Sequence, residues 1–125
     1  MNDKENKIQD LDFDSIFEVD DSIRFVGVCT MDGRLLDAQY RNGVKPQLTD
    51  SGLQQSVVRT AIRSTTRKGE EGLLGRPVYS VTTYPNVKRA TIPIDEELLF
   101  LVSFEKEVQE NSLIPRILEI LKIQS

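Results

Sequence analysis

The sequence has no histidine, no tryptophan and a single cysteine, Cys29. Without histidine the chain lacks the usual general base at neutral pH and the commonest metal ligand. Ser–His and Cys–His nucleophile pairs are excluded, and typical zinc sites are disfavoured. One cysteine cannot close an intrachain disulfide, which fits a reducing, cytoplasmic setting. No apolar segment of signal-peptide character follows the opening Met-Asn-Asp-Lys-Glu-Asn-Lys. The longest apolar runs, such as 98–102, fall far short of a membrane span.

What is present reads as one soluble domain. At 125 residues, 38% hydrophobic and 29% charged, the chain can bury a single core. Residues 1–9 are polar and expected to be flexible, and 10–125 form the domain. The net charge of −4 argues against a generic binder of nucleic acid or anionic membrane. That charge is uneven: −6 over 1–22, +5 over 23–68 and −3 over the remainder. A basic middle between acidic ends marks either a partner surface or ends that pack against the middle.

Hydrophobic periodicity orders the elements. Phe13, Ile16 and Phe17 at i, i+3 and i+4 predict a short amphipathic helix over roughly 10–19. Two β-rich runs then flank Asp32-Gly33, the dipeptide suited to the positive φ angles of a tight hairpin. The first run, about 23–31, is apolar on both faces (Phe25 against Val26 and Val28) and belongs inside a sheet. The second, about 34–41, ends at Asn42-Gly43. Thr49 or Asp50 caps a helix reaching about Lys68, with Leu53, Val57, Ala61 and Ile62 as its buried stripe and Gly69 as its stop. Residues 69–76 read as a loop. A hairpin follows, 77–84 and 87–94, turning at Pro85-Asn86. Pro77 and Pro93 place these strands near an edge or at ladder ends. The continuous apolar run 98–104 predicts a central strand. A last helix starts near Asn111 or Ser112, with Pro115 in its first turn and Leu113, Ile117, Leu118, Ile120 and Leu121 on its apolar face. The order α-β-β-α-β-β-β-α predicts an α/β (α+β) fold, a three-layer α-β-α sandwich around a five-stranded antiparallel sheet.

Few residues invite chemistry. Cys29 sits in a central strand, where a free cysteine packs as a small apolar residue. Asp10, Asp12, Asp14, Glu18 and Asp21 imitate the ligand spacing of a calcium loop. Ser15 stands where its sharp turn needs glycine, so a solvated acidic face is the better reading. The glycines of 69–75 lack the lysine and Ser/Thr of a phosphate-binding loop. Arg59, Arg63 and Arg67, at i, i+4 and i+8, share one helix face and could meet an acidic partner, phosphates or solvent. Tyr79 and Tyr84 beside Lys88 and Arg89 hint at base stacking, but the two rings fall on opposite faces of one strand. Neither cofactor, metal nor catalytic group is expected.

The order of elements, with the hairpin Val-Gly-Val-Cys-Thr-Met-Asp-Gly-Arg-Leu-Leu, resembles the Roadblock/dynein light chain family over about 11–121. Asp32-Gly33 matches its turn, 23–31 the strand before it, and Leu35-Leu36 the apolar pair after it. Profilin-like and longin-like domains have similar layouts. An arginine-rich middle helix and a fairly long 69–76 loop depart from the family pattern. The resemblance implies a non-enzymatic scaffold that forms homodimers or heterodimers and often binds small GTPases or adaptor complexes. Carried onto this chain, it implies a homodimer interface at Val58, Ile62, Thr65, Val78, Ser80, Thr82 and Tyr84, with Arg59, Arg63 and Arg67 facing a protein partner. The alternatives are a sensory or small-molecule-binding domain with a pocket at Cys29, Tyr79, Thr91 and the 69–76 loop, and nucleic-acid binding through the arginine helix.

Overall fold

The computed structural model describes residues 11–123. Residues 1–9, expected to be flexible, and Asp10 lie outside the described residues. The elements are α1 (Phe13–Phe17), β1 (Ile23–Thr30), β2 (Leu35–Tyr40), α2 (Asp50–Arg67), α3 (Glu71–Leu74), β3 (Ser80–Thr83), β4 (Lys88–Pro93), β5 (Leu98–Phe104) and α4 (Glu110–Leu121). The strands form one antiparallel sheet in the order β2-β1-β5-β4-β3. The two runs that are apolar on both faces, β1 and β5, pair at its centre, as their composition requires.

One face of the sheet carries α1 and α4. Phe13, Ile16 and Phe17 of α1, and Leu113, Ile114, Ile117 and Leu118 of α4, close over Ile23, Val26, Val28, Phe100, Val102 and Phe104. Phe13 meets Phe100 edge to face with centroids 6.2 Å apart. Each large side chain buried here stabilises the fold by about 1.5–3 kcal/mol. Arg41 ties α1 to this framework, donating to the carbonyls of Phe17, Asp20 and Ile23 at 2.7, 2.8 and 2.6 Å. The opposite face carries α2 over a thinner core: Phe25, Cys29, Val57, Leu99 and Leu101, with Leu53 half-buried beside them. Ser56 and Thr60 are buried in this contact. The Thr60 hydroxyl is satisfied by the Ser56 carbonyl at 2.9 Å.

Several local expectations need correction. In the β1–β2 turn only Gly33 takes positive φ, at 90°. The Gly33 N–H donates to the Thr30 carbonyl and the Thr30 N–H to the Arg34 carbonyl, so the loop has three residues, a type I turn ending in a left-handed glycine. Thr49 is the cap of α2, its hydroxyl accepting from the Gly52 N–H at 3.0 Å. Gly69 does not stop the helical path. The chain passes through a 3₁₀ turn, Lys68–Glu70, into α3, and halts at Gly75 with φ 85°. Gly69 can adopt helical angles, and only Gly75 needs the left-handed ones. Ile62 is 61% exposed, because at 100° per residue it lies beyond Ala61, off the sheet-facing stripe. β3 is shorter than expected, since its ladder with β4 begins only at Ser80. α4 starts at Glu110, which makes Pro115 its sixth residue. The carbonyl deprived of its partner belongs to exposed Asn111, where water can serve. Ile114 is buried in α4, whereas Ile120 is 37% exposed.

Candidate interaction surface

The outer strand β3 pairs only with β4, through Ser80↔Thr91, Val81↔Ala90, Thr82↔Arg89 and Thr83↔Lys88. The Tyr84 N–H donates to the Val87 carbonyl at 2.9 Å. Alternation therefore turns the backbone groups of Ser80 and Thr82 toward β4 and those of Val81 and Thr83 outward. The other rim strand, β2, differs. Its ladder with β1 breaks register between Val28 and Cys29, and it carries exposed Asp37. A bulge and a charge blunt an edge against further pairing. Ser-Val-Thr-Thr in β3 has neither.

Side chains alternate likewise. Val81 packs into the core on the α1/α4 side, together with Val78 from the segment before the strand. Ser80, Thr82 and Tyr84 lie on the α2 side. Ser80 accepts from Arg67 Nη1 at 3.2 Å. Thr82 and Tyr84 line a small pocket with Thr60, Arg63 and Arg89. That pocket adjoins a groove of about 410 Å³ between the start of α2, the loop before it and the β3–β4 turn. Phe25, Tyr84, Arg89 and Ser103 line both. The groove adds Arg24, Tyr40, Lys45, Leu48 and Leu53, among others, and no carboxylate.

Of the interface residues that the resemblance implied, Val58, Ile62 and Thr65 fall on different sides of α2. Val58 lies against the β1–β2 turn, its Cα 3.5 Å from where a Cβ on Gly33 would stand. The Thr65 hydroxyl donates to the Met31 carbonyl at 3.5 Å, beside the same turn. Ile62 crowns the exposed face. The helix flank nearest β3 instead presents Arg63 and Arg67, for which the resemblance implied a partner, with Arg59 exposed on the same row. The lining of the groove comes from β1, β2, β4, β5, the 42–48 loop, α2 and the β3–β4 turn, and its only sequence signal is the rise in positive charge over 23–68.

Cys29 is fully buried, and burial pushes its thiol pKa up to about 12. Neither of the two small pockets that Thr91 lines includes Cys29 or Tyr79, so the ligand cavity envisaged for a sensory domain is not formed there. Asp12 caps α1, its carboxylate accepting from the Ser15 N–H and hydroxyl at 3.3 and 2.7 Å. These bonds hold its carboxyl below the ordinary range. Tyr40 shifts upward through burial and then the nearby Asp50 charge. No helix among the described residues is long and apolar enough to cross a membrane.

The same sheet order and helix placement recur in solved structures. Gliding protein MglB from Thermus thermophilus superposes with a TM-score of 0.72 at 12% identity, covering 94% of this chain and 84% of that one. A Roadblock/LC7 domain from Streptomyces avermitilis gives 0.69 at 9% identity, over 90% and 92%. This is the Roadblock/LC7 fold. An MglB structure with a tetrameric arrangement shares the Roadblock fold at a TM-score of 0.72, with 13% identity over 94% and 84%. No family sequence model and no curated protein sequence matches the chain. With identities this low, the Roadblock assignment rests on architecture: strand order, a meander ending in a buried central strand, and one long helix alone on its face.

Proposed function

We propose that the protein is a non-catalytic, cytoplasmic scaffold that dimerises along β3 and presents the resulting surface to a protein partner, a small GTPase being the class that the Roadblock resemblance implies. One observation carries this reading: of the two rim strands, β3 alone is regular, uncharged and unblunted, with the backbone groups of Val81 and Thr83 directed outward. Edges of that kind pair with another strand unless something prevents it. Pairing two copies about a two-fold axis is the simplest closed solution.

In this arrangement Ser80, Thr82 and Tyr84 follow the seam, and Val78 supports it from the core side. Ile62 on the crest of α2 reaches the mate. Val58 and Thr65, beside the β1–β2 turn, belong to the outer platform, and Arg59, Arg63 and Arg67 border the seam. A non-catalytic role agrees with a sequence lacking histidine and with the inert placement of Cys29. Sedimentation velocity across a concentration series tests the reading. A reversible monomer–dimer equilibrium is expected, and a monomer at high micromolar concentration in both low and high salt overturns it.

A further inference from the structure

We infer that the cleft between α2 and the β3–β4 hairpin recognises an acidic segment of a protein partner, with an apolar side chain of that segment seated in the 410 Å³ groove. The inference deepens the scaffold reading and rests on it only for the partner being a protein.

The argument comes from how the cations are held. Away from the cleft, several positive groups are neutralised or turned onto carbonyls. Lys68 meets Glu96 at 3.5 Å, and Lys88 meets Glu110 at 2.9 Å. Arg41 and Arg116 donate to backbone carbonyls. Within the cleft, two guanidiniums are held by neutral hydroxyls instead: Arg63 donates to Thr60 at 3.1 Å, and Arg89 to Ser56. Arg67, farther along α2, donates to Ser80 at 3.2 Å outside the cleft, in a pocket that Glu71, Asp95 and Glu96 also line. A hydroxyl fixes a guanidinium without cancelling its charge, and one bond leaves four of its five N–H donors. Among the described residues, no ion pair involves Arg63 or Arg89. No acidic residue occurs between Asp50 and Glu70. Lys45 adds a third charge at the groove end, where Arg24 is already paired with Glu105.

Preplaced, unpaired guanidiniums are the usual receptor for carboxylates, which they bind in a bidentate manner. The adjoining Phe25, Leu48 and Leu53 supply apolar wall, which suits a peptide side chain better than a sugar-phosphate backbone. A net charge of −4 also opposes a polyanion as large as nucleic acid. If two copies pair along β3, their arginine rows approach each other, and an acidic occupant relieves that repulsion.

The test uses a fluorescein-labelled octapeptide alternating glutamate and leucine, read by anisotropy on the full chain. Binding is expected to weaken as salt rises from about 0.01 to 0.15 M, where screening shortens from about 30 to 8 Å. K45E/R63E should bind about tenfold more weakly, K45Q/R63Q should fall between, and K106E, outside the cleft, should match wild type. If the charge-reversed variant is poorly folded, the glutamine variant decides. Equal binding by wild type and K45Q/R63Q overturns the inference, as does equal binding of an alternating lysine–leucine peptide or tighter binding of an oligothymidylate. Sedimentation of the same samples separates the two proposals. Charge-dependent binding by a monomer sinks the dimer and keeps the cleft; a dimer that ignores the peptide does the reverse.

Discussion

The edge strand offers a test that separates pairing between copies from stability within one. Proline at position 83 removes an N–H that alternation turns outward, away from β4, and leaves the bonds of Ser80, Thr82 and Tyr84 to β4 in place. Thr83 is exposed, so little packing is lost. In a two-fold seam the outward residues Val81 and Thr83 exchange bonds with the mate. Thr83→Pro deletes one donor from each copy, two bonds in all. At about 0.5–1.5 kcal/mol net per bond, the dimer loses about 1–3 kcal/mol. That is roughly a 5- to 150-fold rise in the dimer Kd. Unfolding of the monomer should shift by less than about 0.5 kcal/mol. Thr82→Pro, one residue earlier, removes a donor to β4 and should lower monomer stability by about 1–3 kcal/mol. Sedimentation velocity reads the first effect and urea denaturation of dilute protein the second. A Thr83→Pro variant with an unchanged dimer constant refutes the seam, and two variants that behave alike refute the register.

Further expectations concern the fold itself. Gly33→Ala forces a side chain onto φ 90° and should cost about 1–2 kcal/mol in urea denaturation; an unchanged midpoint contradicts the turn geometry. The Cys29 thiol, with its pKa pushed up to about 12, should resist Ellman's reagent at pH 8 in the native protein and react fully in denaturant; rapid native labelling contradicts its burial. Glu110 is held below its usual pKa of 4.5, chiefly by the Lys88 hydrogen bond. Its charged form therefore adds stability above about pH 4.5, and that share disappears as acid drives the pH through the lowered folded-state value. Glu110→Gln should thus be less stable than wild type at pH 7, and the two midpoints should converge as the pH falls below the lowered folded-state value. A gap that stays constant with pH is evidence against the ion pair.

Much of this architecture was legible in the residues. The doubly apolar runs of β1 and β5 determined which strands are central, because only a strand covered on both faces lacks a polar side. The 98–104 strand was read to the residue, since its composition changes abruptly at both ends. Thr49, the 3.6-residue stripe at Leu53, Val57 and Ala61, and the Asp32-Gly33 turn placed α2 and the first hairpin, because capping, periodicity and turn chemistry act over a few neighbours. Element ends were less legible. Gly69 and Gly75 are equally free in sequence, and only the path of the chain decides which one takes a left-handed angle. Pro115 likewise showed where a helix could begin, and packing of Leu113 and Ile114 drew the start back to Glu110.

The surface needed three dimensions. The sequence determined that Arg59, Arg63 and Arg67 share a helix face, and that Ser80, Thr82 and Tyr84 share a strand face. It could not say that the two faces meet, nor that Val58 and Thr65 turn away from β3 toward the β1–β2 turn. That depends on how α2 lies across the sheet, a result of contacts between residues as distant in sequence as Ser56 and Arg89. The groove has the same origin: α2 covers the sheet over a thin core and leaves the β3 side open, an outcome no local pattern encodes.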